Sequence, residues 1–207
     1  NRETVSFSSP APPNQMPSPA SALQRGPRER FATGETVITR EGQPAAGAAD
    51  MRMDFSIVRL AANETRAESH AKESAWVLLQ GEADVRFDRT SASIKRASIF
   101  DEPPTALHVG PETAVNIRAG VAGAEFAVVR TTNDRRFPAR LFTPADLKPE
   151  YRGAGLVQNA CLRNVRLIFD LAARPEANLV VGEVVNYPGR WSSYPPHHHV
   201  QPEDRKS

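Results

Sequence analysis

The feature that most narrows the fold is punctuation. From residue 53 to residue 130 the chain runs in short apolar or alternating stretches, each cut off by turn residues. Asp54-Phe55-Ser56-Ile57-Val58-Arg59-Leu60 alternates up to Val58 and stops at Asn63-Glu64. Ala75-Trp76-Val77-Leu78-Leu79-Gln80 is a run of the buried-strand type, and past Gly81-Glu82 the segment Ala83-Asp84-Val85-Arg86-Phe87 alternates strictly. Residues 93–100, 106–109, 113–118 and 125–130 continue the series, with turns at Asp101-Glu102-Pro103-Pro104, Gly110-Pro111 and residues 120–123. No three-turn amphipathic helix fits this region. Short strands at this spacing predict an all-β sandwich or barrel.

The flanks read differently. Pro10, Pro12, Pro13, Pro17, Pro19 and Pro27 fall in the first thirty residues among Ser, Ala, Asn and Gln. Such a segment has few backbone donors and little apolar surface to offset its ordering entropy, so it reads as disordered. The whole stretch 1–45 is expected to be a disordered or loosely ordered leader, and 42–49 a Gly/Ala-rich loop. The β domain is expected over 50–135 and a linker over 136–178. In that linker Pro138, Pro144 and Pro149 preclude a long helix, while Thr143-Pro144-Ala145-Asp146 is suited to start a single turn. Leu179-Val180-Val181-Gly182-Glu183-Val184-Val185 is a strong strand, and 179–207 reads as the opening of a second β domain.

A formal net charge of +2, with basic residues interspersed among acidic ones, gives no nucleic-acid footprint. No stretch approaches the ~20 apolar residues of a membrane span, and no signal peptide is recognisable. The single cysteine, Cys161, excludes an intramolecular disulfide and has no neighbouring His to activate it, so it reads as a small buried hydrophobe. A cytoplasmic protein is expected, without nucleic-acid or membrane partners and with a homo-oligomer left open.

The chemistry concentrates near the C-terminus. His197 and His199 are two apart, so on a strand their imidazoles leave the same face, a good start for a divalent transition metal. Glu203, four residues on, would lie roughly 13 Å away on a straight strand. Pro202 marks where the chain can turn and bring the carboxylate back. His-x-His-x3-Glu is therefore suited to be a three-ligand set that needs a fourth ligand from elsewhere, the other reading being a fortuitous or tag-like run of histidines. His198 points to the other face and reads as a surface or supporting residue. Arg190 offers a bidentate fork for a substrate carboxylate, and Trp191 and Tyr194 are aromatics that either line a pocket or pack. His70 reads as a solvated loop residue and His108 as a satisfied, half-buried histidine on a strand. The sequence identifies no catalytic base.

Gly189 followed by His197-x-His199-x3-Glu203 resembles the first cupin motif, in which one barrel strand supplies two His and a Glu and a later strand a third His. More narrowly, Val181-Gly182-Glu183-Val184 followed by Pro188-Gly189-Arg190-Trp191-Ser192-Ser193-Tyr194-Pro195-Pro196-His197 resembles the signature stretch of the 5-deoxy-glucuronate isomerases of inositol catabolism. That family is related to the 4-deoxy-uronate isomerases. Residues 76–83 and 138–147 resemble, more weakly, its first-barrel strand pair and inter-barrel segment. The resemblance implies a cupin-type jelly-roll barrel, a linker and the first strands of a second barrel. It also implies an aldose–ketose isomerisation of a small sugar acid, assisted by a divalent ion such as Zn, Mn, Fe or Ni. His197, His199 and Glu203 would be metal ligands, and Arg190 and Tyr194 substrate-binding residues. Members of that family continue through a complete second barrel, so a truncated barrel holding three of four ligands is expected here. A non-enzymatic cupin binding module, or an inactive truncated remnant, is the alternative.

Overall fold

A computed structural model describes residues 31–43 and 50–192. The strands are β1 (Gly34–Thr39), β2 (Asp54–Leu60), β3 (Thr65–Ser69), β4 (Glu73–Phe87), β5 (Thr90–Arg96), β6 (Ala106–Val109), β7 (Ala114–Thr131), β8 (Arg140–Phe142), β9 (Glu150–Arg152), β10 (Arg163–Phe169) and β11 (Val181–Asn186). The helical elements among the described residues are two 3-10 turns, Pro144–Asp146 and Val157–Asn159. The fold is all-β, as the punctuation predicts.

Two long, bent strands organise the barrel. The first half of β4 pairs with β6 and with the second half of β7, whereas its second half pairs with β5 and with the first half of β7. β2 joins the second half of β7 and β3 the first half, and β1 extends β2 at one edge. One hydrogen-bonded array thus folds into two facing sheets. The corner falls where β4 and β7 bulge, between Leu78 and Ala83. There Gly81 has φ +99°, and a Cβ on it would stand 2.2 Å from the Gly123 carbonyl oxygen. Only glycine lets the two backbones touch at that bend.

The contrast between the two halves of β4 follows from what covers them. In the second half, Val85 and Phe87 face the barrel interior while Asp84 and Arg86 face solvent. The first half is covered on both sides. Trp76 and Leu78 enter the interior with Leu60, Val109, Phe126 and Val128. Ala75 and Val77 form a second core on the other side with Phe142, Ile168, Phe169, Leu179 and Val181. Burying each large side chain of this kind contributes about 1.5–3 kcal/mol. The unbroken apolar run at 75–79 is therefore the sign of a strand packed on both faces.

The second core is made by a smaller antiparallel sheet of order β11-β10-β9 lying against the barrel. This corrects the linker expected over 136–178, because β8 adds to β6 at the barrel edge and β9 and β10 build the second sheet. Ile168 and Phe169 are buried there, which is why the segment is ordered as structure and not as a connector. The leader expected over 1–45 is likewise too long. β1 pairs with β2 from Gly34↔Arg59 onward, and the Arg59 guanidinium donates to the Phe31 carbonyl. As an edge strand with Val37 and Ile38 exposed, β1 gives almost no apolar signal. Residues 1–30, where disorder is expected, and 44–49 lie outside the described residues. The turn at Pro144–Asp146 starts as predicted, with Pro144 first and the Asp146 carboxylate accepting from the Thr143 N–H at 2.7 Å. Cys161 is fully buried, in keeping with its reading as a small hydrophobe.

Candidate functional site

β10 and β11 pair from Arg163↔Asn186 to Phe169↔Val181, and the chain leaves β11 straight into the candidate metal-binding segment. A turn closes at Arg190, whose N–H donates to the Tyr187 carbonyl at 3.1 Å, with Gly189 at φ +70°. The half-buried Arg190 guanidinium donates to the Asn159 carbonyl, and the Trp191 N–H donates to Ala160 at 2.7 Å. The chain beyond β11 is thus tied to the 3-10 turn at Val157–Asn159. Val157, Gln158 and Asn159 in that turn all have left-handed φ, at 46°, 54° and 62°. Burial, with Tyr151 close by, pushes the Tyr187 hydroxyl above its usual range. Trp191 is 42% exposed, so packing in a core is not its role here.

β11 is fixed to the barrel chiefly through side chains. Glu183, a carboxylate inside an otherwise apolar strand, accepts from Arg96 at 2.6 Å and from Arg166 at 2.8 Å. Both arginines are buried, and both also donate to the carbonyls of Ile99 and Glu102. Just before β11, the fully buried Glu73 at the start of β4 takes four donors: His108 Nε2–H at 2.9 Å, Asn133 at 2.7 Å, Asn178 N–H at 2.8 Å and Leu179 N–H at 3.2 Å. These donors hold the Glu73 carboxyl below its usual range against the opposing effect of burial. His108 is completely buried and not half-buried, stacked on Phe169 at 4.2 Å between ring centroids and lying against Phe137 at 5.0 Å. Burial pushes its imidazole below the usual range, so it is neutral, with its proton on Nε2 and a bare Nδ1. Sequence reading missed Glu73, Arg96 and Arg166. The available signal was a Glu within Val181-Gly182-Glu183-Val184, because a carboxylate among apolar strand residues implies a buried cationic partner.

A second ion-pair cluster joins β1, β3 and β7. Arg66 donates to Glu35 at 2.6 Å and to Glu68 at 2.8 Å, and Arg130 to the same two carboxylates at 3.1 and 2.6 Å. The two guanidiniums lie 5.8 and 5.4 Å from the Trp76 ring centre. Burial alone pushes the Glu35 carboxyl up, but the Ser56 hydroxyl and these two arginines bring it down to about 2. Two carboxylates thus meet two guanidiniums, leaving no donor set suited to a cation. A surface depression of about 560 Å³ nearby is lined by Ser69, Arg86, Asp88 and Asn116 among others, with no buried polar side chain to orient a ligand. Half-buried His70 sits in the turn after β3, its Nδ1 accepting from the Lys72 N–H.

Among the described residues, no group of three or more His, Cys, Asp and Glu is placed to hold a metal ion. Tyr194, His197, His199 and Glu203 lie outside the described residues, and of the expected site residues only Arg190 lies within them. Residues 25–207 match the KduI/IolB family. The chain belongs to that family. A 5-deoxy-glucuronate isomerase of Geobacillus kaustophilus is 33% identical over 151 residues, 71% of this chain and 52% of the relative. The chain therefore spans about half the length of the curated relatives it matches. An IolB-like protein of Salmonella typhimurium LT2 superposes with a TM-score of 0.65 at 25% identity, covering 79% of this chain and 64% of the other. A Pseudomonas aeruginosa protein assigned as glyoxylate-induced superposes at 0.51 with 14% identity, covering 67% of this chain and 50% of its own, a likeness of fold alone. The bent two-sheet barrel is thus a fold this chain shares with the IolB-like protein. Among the described residues no helix is long and apolar enough to cross a membrane.

Proposed function

We propose that this chain forms the barrel and carries the metal-binding residues of a 5-deoxy-glucuronate isomerase, which converts 5-deoxy-D-glucuronate to 5-dehydro-2-deoxy-D-gluconate. The observation that carries this reading is the 33% identity to an isomerase of that name, combined with the His-x-His-x3-Glu pattern directly downstream of β11. Two imidazoles and a carboxylate make a borderline donor set that suits Zn, Mn, Fe or Ni. His197, His199 and Glu203 would hold the ion, which when bound supplies positive charge beside the substrate carbonyl oxygen.

The chain's own residues account for orientation. The Asn159 carbonyl engages one N–H of the five on the Arg190 guanidinium, and the others are suited to fork onto the sugar acid's carboxylate. The reaction moves hydrogen between neighbouring carbons: a base takes the proton from the hydroxyl-bearing carbon beside the carbonyl and returns it to the former carbonyl carbon, while the proton of that hydroxyl passes to the former carbonyl oxygen. Tyr194 would hydrogen-bond the sugar hydroxyls. A small sugar acid is thus the partner of this site.

The test pairs isothermal titration with Zn2+ or Mn2+ and an isomerisation assay on 5-deoxy-glucuronate. His199→Ala is expected to abolish the metal heat, and chelator to abolish any turnover through kcat more than KM. Metal binding that survives in both His197→Ala and His199→Ala, or turnover indifferent to chelator, overturns the reading.

A further inference from the structure

The start of β11 is docked on the barrel in an unusual way. Residues 175–179 run past the barrel without joining its strand ladder, yet three of their carbonyls and two of their N–H groups are satisfied by barrel-side side chains. Arg135 donates to the carbonyls of Pro175 and Ala177, and Asn133 to that of Glu176. Glu73 then accepts the N–H groups of Asn178 and Leu179, which lie 105 and 106 residues away in sequence. Each Glu73 oxygen takes two donors: His108 and Leu179 on one, Asn133 and Asn178 on the other. An ionised carboxylate is the one side chain with four acceptor positions and no donor, so it alone matches this ring. His108, stacked on Phe169, sets the rotation of the carboxylate.

We propose that Glu73 is a positioning residue that fixes where β11 begins, and through β11 the placement of the ligand-bearing segment that follows it. This rests on reading His197, His199 and Glu203 as metal ligands. Glu183 holds β11 at its middle through Arg96 and Arg166, so the strand is pinned at two points and its continuation leaves in one direction. In Glu73→Gln the amide nitrogen faces two donors, and one N–H of the Asn178–Leu179 pair is orphaned.

The experiment measures hydrogen exchange and Co2+ titration on the full chain, comparing Glu73→Gln with Ile117→Ala, a barrel-interior truncation on the first half of β7 that lowers global stability away from this ring. Glu73→Gln is expected to raise exchange over residues 178–186 about tenfold above the rest of the chain and to weaken Co2+ binding at least tenfold, while Ile117→Ala gives no local excess of exchange there and leaves Co2+ binding unchanged. Unchanged exchange in Glu73→Gln, or equal effects in the two variants, overturns the proposal. Raised exchange with no Co2+ binding even by the unmodified chain supports the docking role and removes the metal-ligand reading instead. Should Glu73→Gln fail to fold, Arg135→Gln, at an exposed position outside both cores, is expected to give the same local increase at smaller amplitude. Its absence there refutes the docking role.

Discussion

Replacing Glu183 by Gln removes the charge between two buried guanidiniums. Arg96 has a side-chain exposure of 1% and Arg166 of 5%, and among the described residues Glu183 is the one carboxylate paired with either. Their remaining partners are neutral carbonyls at Leu78, Ile99, Phe100 and Glu102. Each pair is worth about 4 kcal/mol in gross attraction at an effective dielectric of 20, but much of that offsets desolvation. Breaking a buried pair costs about 3–5 kcal/mol. Because the Glu183 side chain is 20% exposed, water can partly replace it, which places the loss near the low end, about 3 kcal/mol. With an m-value of about 2 kcal/mol/M, urea unfolding should shift its midpoint down by about 1.5 M with m unchanged. Adding Arg166→Met to Glu183→Gln removes one stranded cation and should recover a large part of the loss. A single-variant loss below about 1 kcal/mol, or no recovery in the double variant, would refute buried charge compensation as the role of Glu183.

Stability should also fall on acidification in two stages. His108 is neutral in the fold with its pKa lowered, so below about pH 6.5 the unfolded chain binds the extra proton and stability drops by up to ~1.4 kcal/mol per pH unit. Glu73 and Glu35, also lowered, hold their contribution above about pH 4.5 and lose it as pH falls toward their folded values. Urea midpoints at pH 8, 6, 5 and 4 read both stages, and His108→Gln should flatten the first while leaving the second; an unchanged first stage in that variant contradicts the assignment. Gly81→Ala should cost about 3 kcal/mol or more, since the new Cβ meets backbone at 2.2 Å in a left-handed conformation, and a Tm within a degree of the parent would show that the corner can relax.

The barrel was legible because its strands carry their burial in their alternation. The runs at 54–60, 75–80, 83–87 and 106–109 are all strands, and the turn at 144–146 follows from Thr-Pro chemistry. β1 was hidden because an edge strand that buries little needs no apolar pattern. β9 and β10 fall within the expected linker because the prolines before them dominate the local signal, while the reason for their order, the outer face of β4, lies some ninety residues upstream. The site divides the same way. The spacing of His197, His199 and Glu203, from which a ligand set is expected, is a local property of the sequence. The Glu73 ring joins residues 73, 108, 133, 178 and 179, and no window of sequence contains it.

The two-sided covering of β4 has a consequence during synthesis. The barrel's own pairings are complete once β8 ends at Phe142, but Phe169, Leu179 and Val181 are made later. For the time needed to add about 40 residues, a few seconds at ~5–20 residues per second, Ala75, Val77 and Phe142 face water on the nascent chain. A bare apolar sheet face of that kind invites association with other unfinished chains. Glu73 stands at the margin of that face, and before Asn178 and Leu179 arrive its carboxylate is hydrated and charged. A charge at that margin disfavours edge-to-edge association of such a face, and its water is displaced when the N–H groups of Asn178 and Leu179 take its place.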